Sequence, residues 1–139
     1  KNLASPIKSR IIKNTKNYNT LIFYNKNNKK KIKLFKKYKI KLIKTELASD
    51  GNFDLRSLLI KIKKIGFSRV FLESGVNLTS KFLSNNLVDD FQLFMSNNKI
   101  GKNGDNNFKQ NMNLLLKNKK FTTKKINLFG DKLISYSVK

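Results

Sequence analysis

Between Thr20 and Met95, short β-prone apolar runs alternate with stretches whose apolar residues recur at helical spacing. That alternation leaves few folds open to the chain. "TLIFY", Thr20–Tyr24, reads as a strand bounded by Asn. "KKKIKLFKKY", Lys29–Tyr38, puts Ile32, Phe35, Leu34 and Tyr38 near one helical stripe among lysines. "IKLIKT", Ile40–Thr45, alternates as a half-buried strand does. "ASDGNF" then signals a turn with Asp50-Gly51 at its tip. Asp54 is placed to cap a helix carrying Leu55, Leu58, Leu59 and Ile62, with Gly66 as its stop.

The pattern continues with "RVFLE", Arg69–Glu73, expected as a buried strand, and a helix over Asn77–Leu87 with Leu78, Phe82 and Leu83 on one face. "DFQLFMSN", Asp90–Asn97, alternates again, and Asn97–Asn113 reads as a loose Gly/Asn region. "KKINLF" and "KLISYSV" flank Gly130-Asp131 as a hairpin. Strand and helix in this order specify an α/β fold, with a sheet mostly parallel through its crossovers and a C-terminal antiparallel hairpin. At 139 residues the chain is expected to be a single domain, residues 1–139.

The corner after "RVFLE" is where chemistry is expected. Open α/β sheets bind ligands at the carboxyl ends of strands, where the next helix presents unbonded N–H groups. In "VFLESGVNLTSKFL", Ser74 and Gly75 let a ligand approach the main chain, and the helix dipole favours a phosphate there. Asn77, Thr79 and Ser80 add side-chain donors. Spacing alone also fits an ordinary strand–helix turn in which Glu73 accepts bonds from the free amides. No GxGxxG or Walker loop is present.

The window Gly66–Gly101 resembles a known family. The reductase domain of the bifunctional riboflavin-biosynthesis deaminase/reductase runs as an apolar strand, E-G/A-G-P-T-L, a helix with F-L, V-D-E, and a second apolar strand leading to Gly. Here the text is "VFLESGVNLTSKFLSNNLVDDFQLFMSNNKIG". Upstream, "DGNFDLRSLLIKIKKIGFSRV" is similar to the family's D-G-x-x-D-L-x-x-L-L, and "FGDKLISYSV" to its closing hairpin. Two departures stand out: Ser74 replaces Gly or Ala, and Val76-Asn77 replace Pro-Thr.

The resemblance implies a dihydrofolate-reductase-like fold and NADPH as cofactor. The implied reaction is reduction of 5-amino-6-(5-phosphoribosylamino)uracil, a phosphorylated pyrimidine, to its ribitylamino form. It places Glu73 at the substrate and Gly75, Val76, Asn77, Leu78, Thr79, Ser80 and Lys81 at the cofactor. It also implies a cytoplasmic homodimer and a zinc deaminase domain preceding the reductase. Nothing here resembles that deaminase, and the first residue is Lys1, so the chain reads as lacking the N-terminal part of its reductase domain.

Charge tells less than its size suggests. The formal net charge is +23, yet arginine stands only at Arg10, Arg56 and Arg69, the remaining cations being lysine. Arginine's planar fork is what phosphate and base recognition favours. A Lys/Asn/Ile/Phe excess with scarce Ala, Gly and Pro is instead what an A+T-rich gene encodes. A basic RNA- or DNA-binding module remains the rival reading, as does a non-catalytic reductase-like domain. A nucleic-acid binder would expose Phe35 and Tyr38 beside its lysines; an enzyme would bury them. Specific nucleic-acid binding and a membrane span are not expected, since no run of eighteen apolar residues exists.

Cysteine and histidine are absent, which excludes disulfides, thiolate or imidazole chemistry, and a Cys/His metal site. Reduction by a nicotinamide needs none of these. The last expectation concerns assembly. Phe91, Leu93 and Met95 lie on one side of their strand, with Gln92 and Phe94 on the other, so both faces ask for cover. One face packs on the preceding helix. The other is covered by Phe108–Leu116 or by a second copy.

Overall fold

A computed structural model describes residues 2–98 and 108–139. It forms two compact units, Lys1–Ser68 and Arg69–Lys139. In the first, a short helix α1 (Arg10–Lys13) runs into a 3-10 turn at Asn14–Lys16. Strand β1 (Leu21–Tyr24), helix α2 (Lys29–Lys37) and strand β2 (Lys41–Lys44) follow, and α3 (Leu55–Lys64) completes the unit.

β1 and β2 pair in parallel, Leu21 opposite Lys41 through Tyr24 opposite Lys44. A parallel pair needs a crossover, and α2 supplies it. Asn28 starts that helix by accepting the Lys31 N–H at 3.0 Å. Its apolar stripe then turns inward. Phe35 is fully buried with Leu3, Ile12 and Ile40, and Ile22, Ile32 and Leu42 pack around them. Burying one such ring stabilises the fold by about 1.5–3 kcal/mol.

The turn after β2 is as the sequence implies. Gly51 adopts φ +69°, Asp50 Oδ1 accepts the Asn52 N–H, and Leu47 bridges Phe53. Asp54 then accepts the N–H groups of Arg56 and Ser57, and α3 begins. Its apolar residues Leu58, Leu59 and Ile62 are only half-buried.

The second unit holds α4 (Val76–Ser84), β3 (Asp90–Met95), α5 (Phe108–Leu116), β4 (Lys120–Lys125) and β5 (Lys132–Ser137). Its sheet is antiparallel, in the order β3-β5-β4. Side chains alternate across a strand, so Phe91, Tyr136 and Phe121, opposite one another in register, share a face. Their rings lie 6.0 and 5.5 Å apart. On that face sit Leu83 from α4, Met112 and Leu116 from α5, and Val138. A hairpin forms about Gly130-Asp131, but its first strand ends at Lys125, two residues into "KKINLF", so the connection spans residues 126–131 and is less compact than expected.

Two expectations change. Arg69–Glu73 is not a buried strand: it pairs with no strand among the described residues, and Val70 and Phe71 are 50% and 84% exposed. An apolar, β-branched run favours extended backbone, but a strand exists only where a neighbour supplies the ladder. Helix α5 occupies the end of the stretch read as loose; residues 99–107 of that stretch lie outside the described residues.

Candidate functional site

The corner that the sequence singles out lies within the second unit. Glu73 and Ser74 are exposed, and Gly75 is the N-cap of α4 with φ −69° and ψ 166°. Ser74 and Gly75 therefore end an unpaired stretch, not a central strand. The helix expected over Asn77–Leu87 forms as α4, Val76–Ser84, starting one residue earlier and ending three residues earlier.

Glycine caps with no side chain. α2 and α3 each start under an acceptor, Asn28 and Asp54, whereas α4 has no side-chain cap. Nor does Glu73 fold back to cap it among the described residues. The N–H groups of Val76, Asn77 and Leu78 belong to the first helical turn, which has no intrahelical acceptor. A β-carbon built on Gly75 would meet no atom within 4 Å, so the main chain is open to a ligand there.

The side chains around this turn divide by task. Val76 packs on the Leu83–Met112 cluster and anchors the helix start. Asn77 and Leu78 are exposed. Thr79 is buried, and its Oγ1 lies 2.8 Å from Ser74 Oγ and donates to Gly75 O at 3.2 Å. Ser80 Oγ donates to Val76 O at 2.7 Å. The hydroxyls of Thr79 and Ser80 thus serve the turn itself, and Asn77 is the donor side chain on its exposed side. Lys81 follows, half-buried.

The structure therefore brings Glu73 and Gly75–Lys81 together on one helix start. The Ser74–Thr79 hydroxyl pair was not foreseen from the sequence. Its signal was available, a hydroxyl just before the cap and another at the fourth helical position. Two shallow hollows of the same unit lie elsewhere, on the antiparallel sheet. The larger, of about 390 Å³, is bordered by Leu114, Phe121 and Tyr136. Neither is lined by Gly75. No group of three or more metal-binding side chains occurs among the described residues.

Comparison with known proteins bears on the chain as a whole. The family described as the RibD C-terminal domain matches residues 1–134. Two solved structures of Acinetobacter baumannii RibD, forms 2 and 1, superpose with TM-scores of 0.65 and 0.64 at 16% identity. Each alignment covers 96% of this chain and 34% of that one, so the chain spans about a third of those proteins. No curated protein matches with significance. At such identity the superposition speaks for the fold, α/β of the dihydrofolate-reductase-like type.

Proposed function

Because this chain belongs to the RibD C-terminal domain family, the reductase domain of riboflavin biosynthesis, we propose that it serves NADPH-dependent reduction of 5-amino-6-(5-phosphoribosylamino)uracil to the ribitylamino form. The observation that carries this reading is the uncapped start of α4 directly after Glu73-Ser74-Gly75, within a chain that matches the family almost end to end.

The residues present suit a dinucleotide. An anionic phosphate is favoured at a helix N-terminus by the N–H groups and by the partial positive charge there. Val76, Asn77 and Leu78 supply those N–H groups, and Gly75 leaves room for the phosphate to reach them. Asn77 has an amide to add from its exposed side, and Lys81 a positive charge one turn further on. Glu73, two residues before the cap, is proposed to hold the pyrimidine substrate by accepting its N–H or O–H groups. When bound, NADPH supplies the hydride. The protein's part is to orient the two molecules and set the field around them.

The homodimer and the preceding zinc deaminase domain that the resemblance implies belong to the same proposal, as does a cytoplasmic setting. No described helix is long and apolar enough to cross a membrane. Of the two aromatics that a nucleic-acid surface would expose, Phe35 lies in the core and Tyr38 is 37% exposed.

Fluorescence titration tests the cofactor assignment. NADPH is expected to bind the chain, and Gly75→Val is expected to abolish that binding, because its branched side chain would fill the space before the amides. Turnover with the phosphorylated pyrimidine, followed as loss of NADPH absorbance, tests the substrate. Absence of NADPH binding by the parent chain would overturn the cofactor assignment.

A further inference from the structure

We propose that Ser74 and Thr79 form a polar staple that positions the first turn of α4, and that this staple, resting on the nucleotide reading above, sets the affinity of the site. Ser74 precedes the N-cap and Thr79 is the fourth helical residue. Helices often join these two positions by an apolar contact, which governs the angle at which the chain meets the helix. Here the join is a hydrogen bond of 2.8 Å. Either hydroxyl of the pair can be the donor, and both also reach Gly75 O, Ser74 Oγ at 3.4 Å and Thr79 Oγ1 at 3.2 Å.

The consequence lies in what the staple leaves alone. A capping Asn or Asp, as on α2 and α3, occupies first-turn N–H groups. A staple holds the same turn from outside that row of donors. The amides of Val76, Asn77 and Leu78 are then fixed in direction yet available to an anion.

A second route to the same constraint is proline at the first helical position, whose ring sets φ in advance. Val76 occupies that position here and sets nothing in advance. Gly75, with φ −69° and ψ 166°, already has the extended backbone that a residue before proline adopts. The hydroxyl pair therefore supplies a constraint that proline could replace, and that exchange is testable.

The test uses the full chain and five variants: Ser74→Ala, Thr79→Val, Thr79→Ser, the Ser74→Ala/Thr79→Val pair, and Ser74→Ala/Val76→Pro. Two quantities are read: NMR order parameters of the Asn77 and Leu78 amides without nucleotide, and NADPH affinity by fluorescence. Losing either hydroxyl is expected to lower the order parameters and weaken NADPH about threefold to tenfold, the range for one net hydrogen bond. Losing both should add little, because the two act as one. Thr79→Ser should behave as the parent, and Val76→Pro should restore the amide order that Ser74→Ala loses, though not the full affinity, because proline removes the N–H at position 76.

A lower unfolding temperature with unchanged order and unchanged affinity would reduce the pair to a structural contact and overturn the proposal. Failure of Val76→Pro to restore the order of the Asn77 and Leu78 amides would overturn it too. If the parent chain binds no NADPH, the nucleotide reading fails by itself. The order parameters then still decide whether the staple positions the turn, and unchanged values refute it.

Discussion

Single residues in this chain do their work through short-range hydrogen bonds, and Asp131 shows how. Asn127 Nδ2 donates to its Oδ2 at 2.8 Å, the Asn97 N–H donates to its Oδ1 at 3.2 Å, and Ser96 adds a further bond. These donors, Asn127 foremost, hold the carboxyl below its ordinary value of 3.8. Gly130 beside it takes φ +88°, and a β-carbon there would come within 3.1 Å of Asn97. The β4–β5 turn is thereby tied to the end of β3. A folded-state pKa that is depressed stabilises the fold fully above the unfolded value. That contribution is lost as pH falls through the folded one. Between about pH 5 and pH 2 the parent's unfolding temperature should therefore fall more steeply than that of Asp131→Asn. Parallel curves for the two proteins would refute this account of the turn.

At the scale of elements, caps and apolar stripes explain most of what forms. Asn28, Asp54 and the Asp50-Gly51 turn are local devices, and each appears where its residues stand. Helix α2 adds a long-range one: Phe35 is its inward residue and has no exposed surface. Phe35→Ala would leave a cavity between α2, β1 and the N-terminal segment. It should cost about 3–5 kcal/mol of stability, measured by chemical denaturation. A loss below about 1 kcal/mol would show that the first unit does not depend on this core. Arg69–Glu73 marks the limit of element-level reasoning. Its residues favour a strand, but pairing is a property of two segments.

At the scale of the whole molecule, assembly turns on the face of the antiparallel sheet that carries Phe94. Helices α4 and α5 both pack on the Phe91–Tyr136 side, so Phe108–Leu116 does not cover Phe94. Phe94 is 68% exposed, and its register partner Leu133 is half-buried. A large apolar side chain on an open sheet face is a candidate contact between two copies related by a two-fold axis. The parent chain is expected to run as a dimer in size-exclusion chromatography with light scattering, and Phe94→Asp as a monomer. A monomeric parent at micromolar concentration would reject the dimer.

The sequence by itself determined the order and kinds of most elements, because helical and strand periods, caps and glycine turns act over a few residues. It also singled out the corner at Glu73–Lys81 as a candidate, since those residues are contiguous. Even the helix boundary at Leu55 follows from its neighbour Asp54. Tertiary structure alone decided three things. Arg69–Glu73 pairs with no described strand, α5 lies on the same side of the sheet as α4, and Ser74 meets Thr79 in place of a cap. Each depends on which segments come to lie side by side, and no local pattern encodes that. Buried surface and completed hydrogen bonds choose among arrangements that the sequence, read locally, leaves equal.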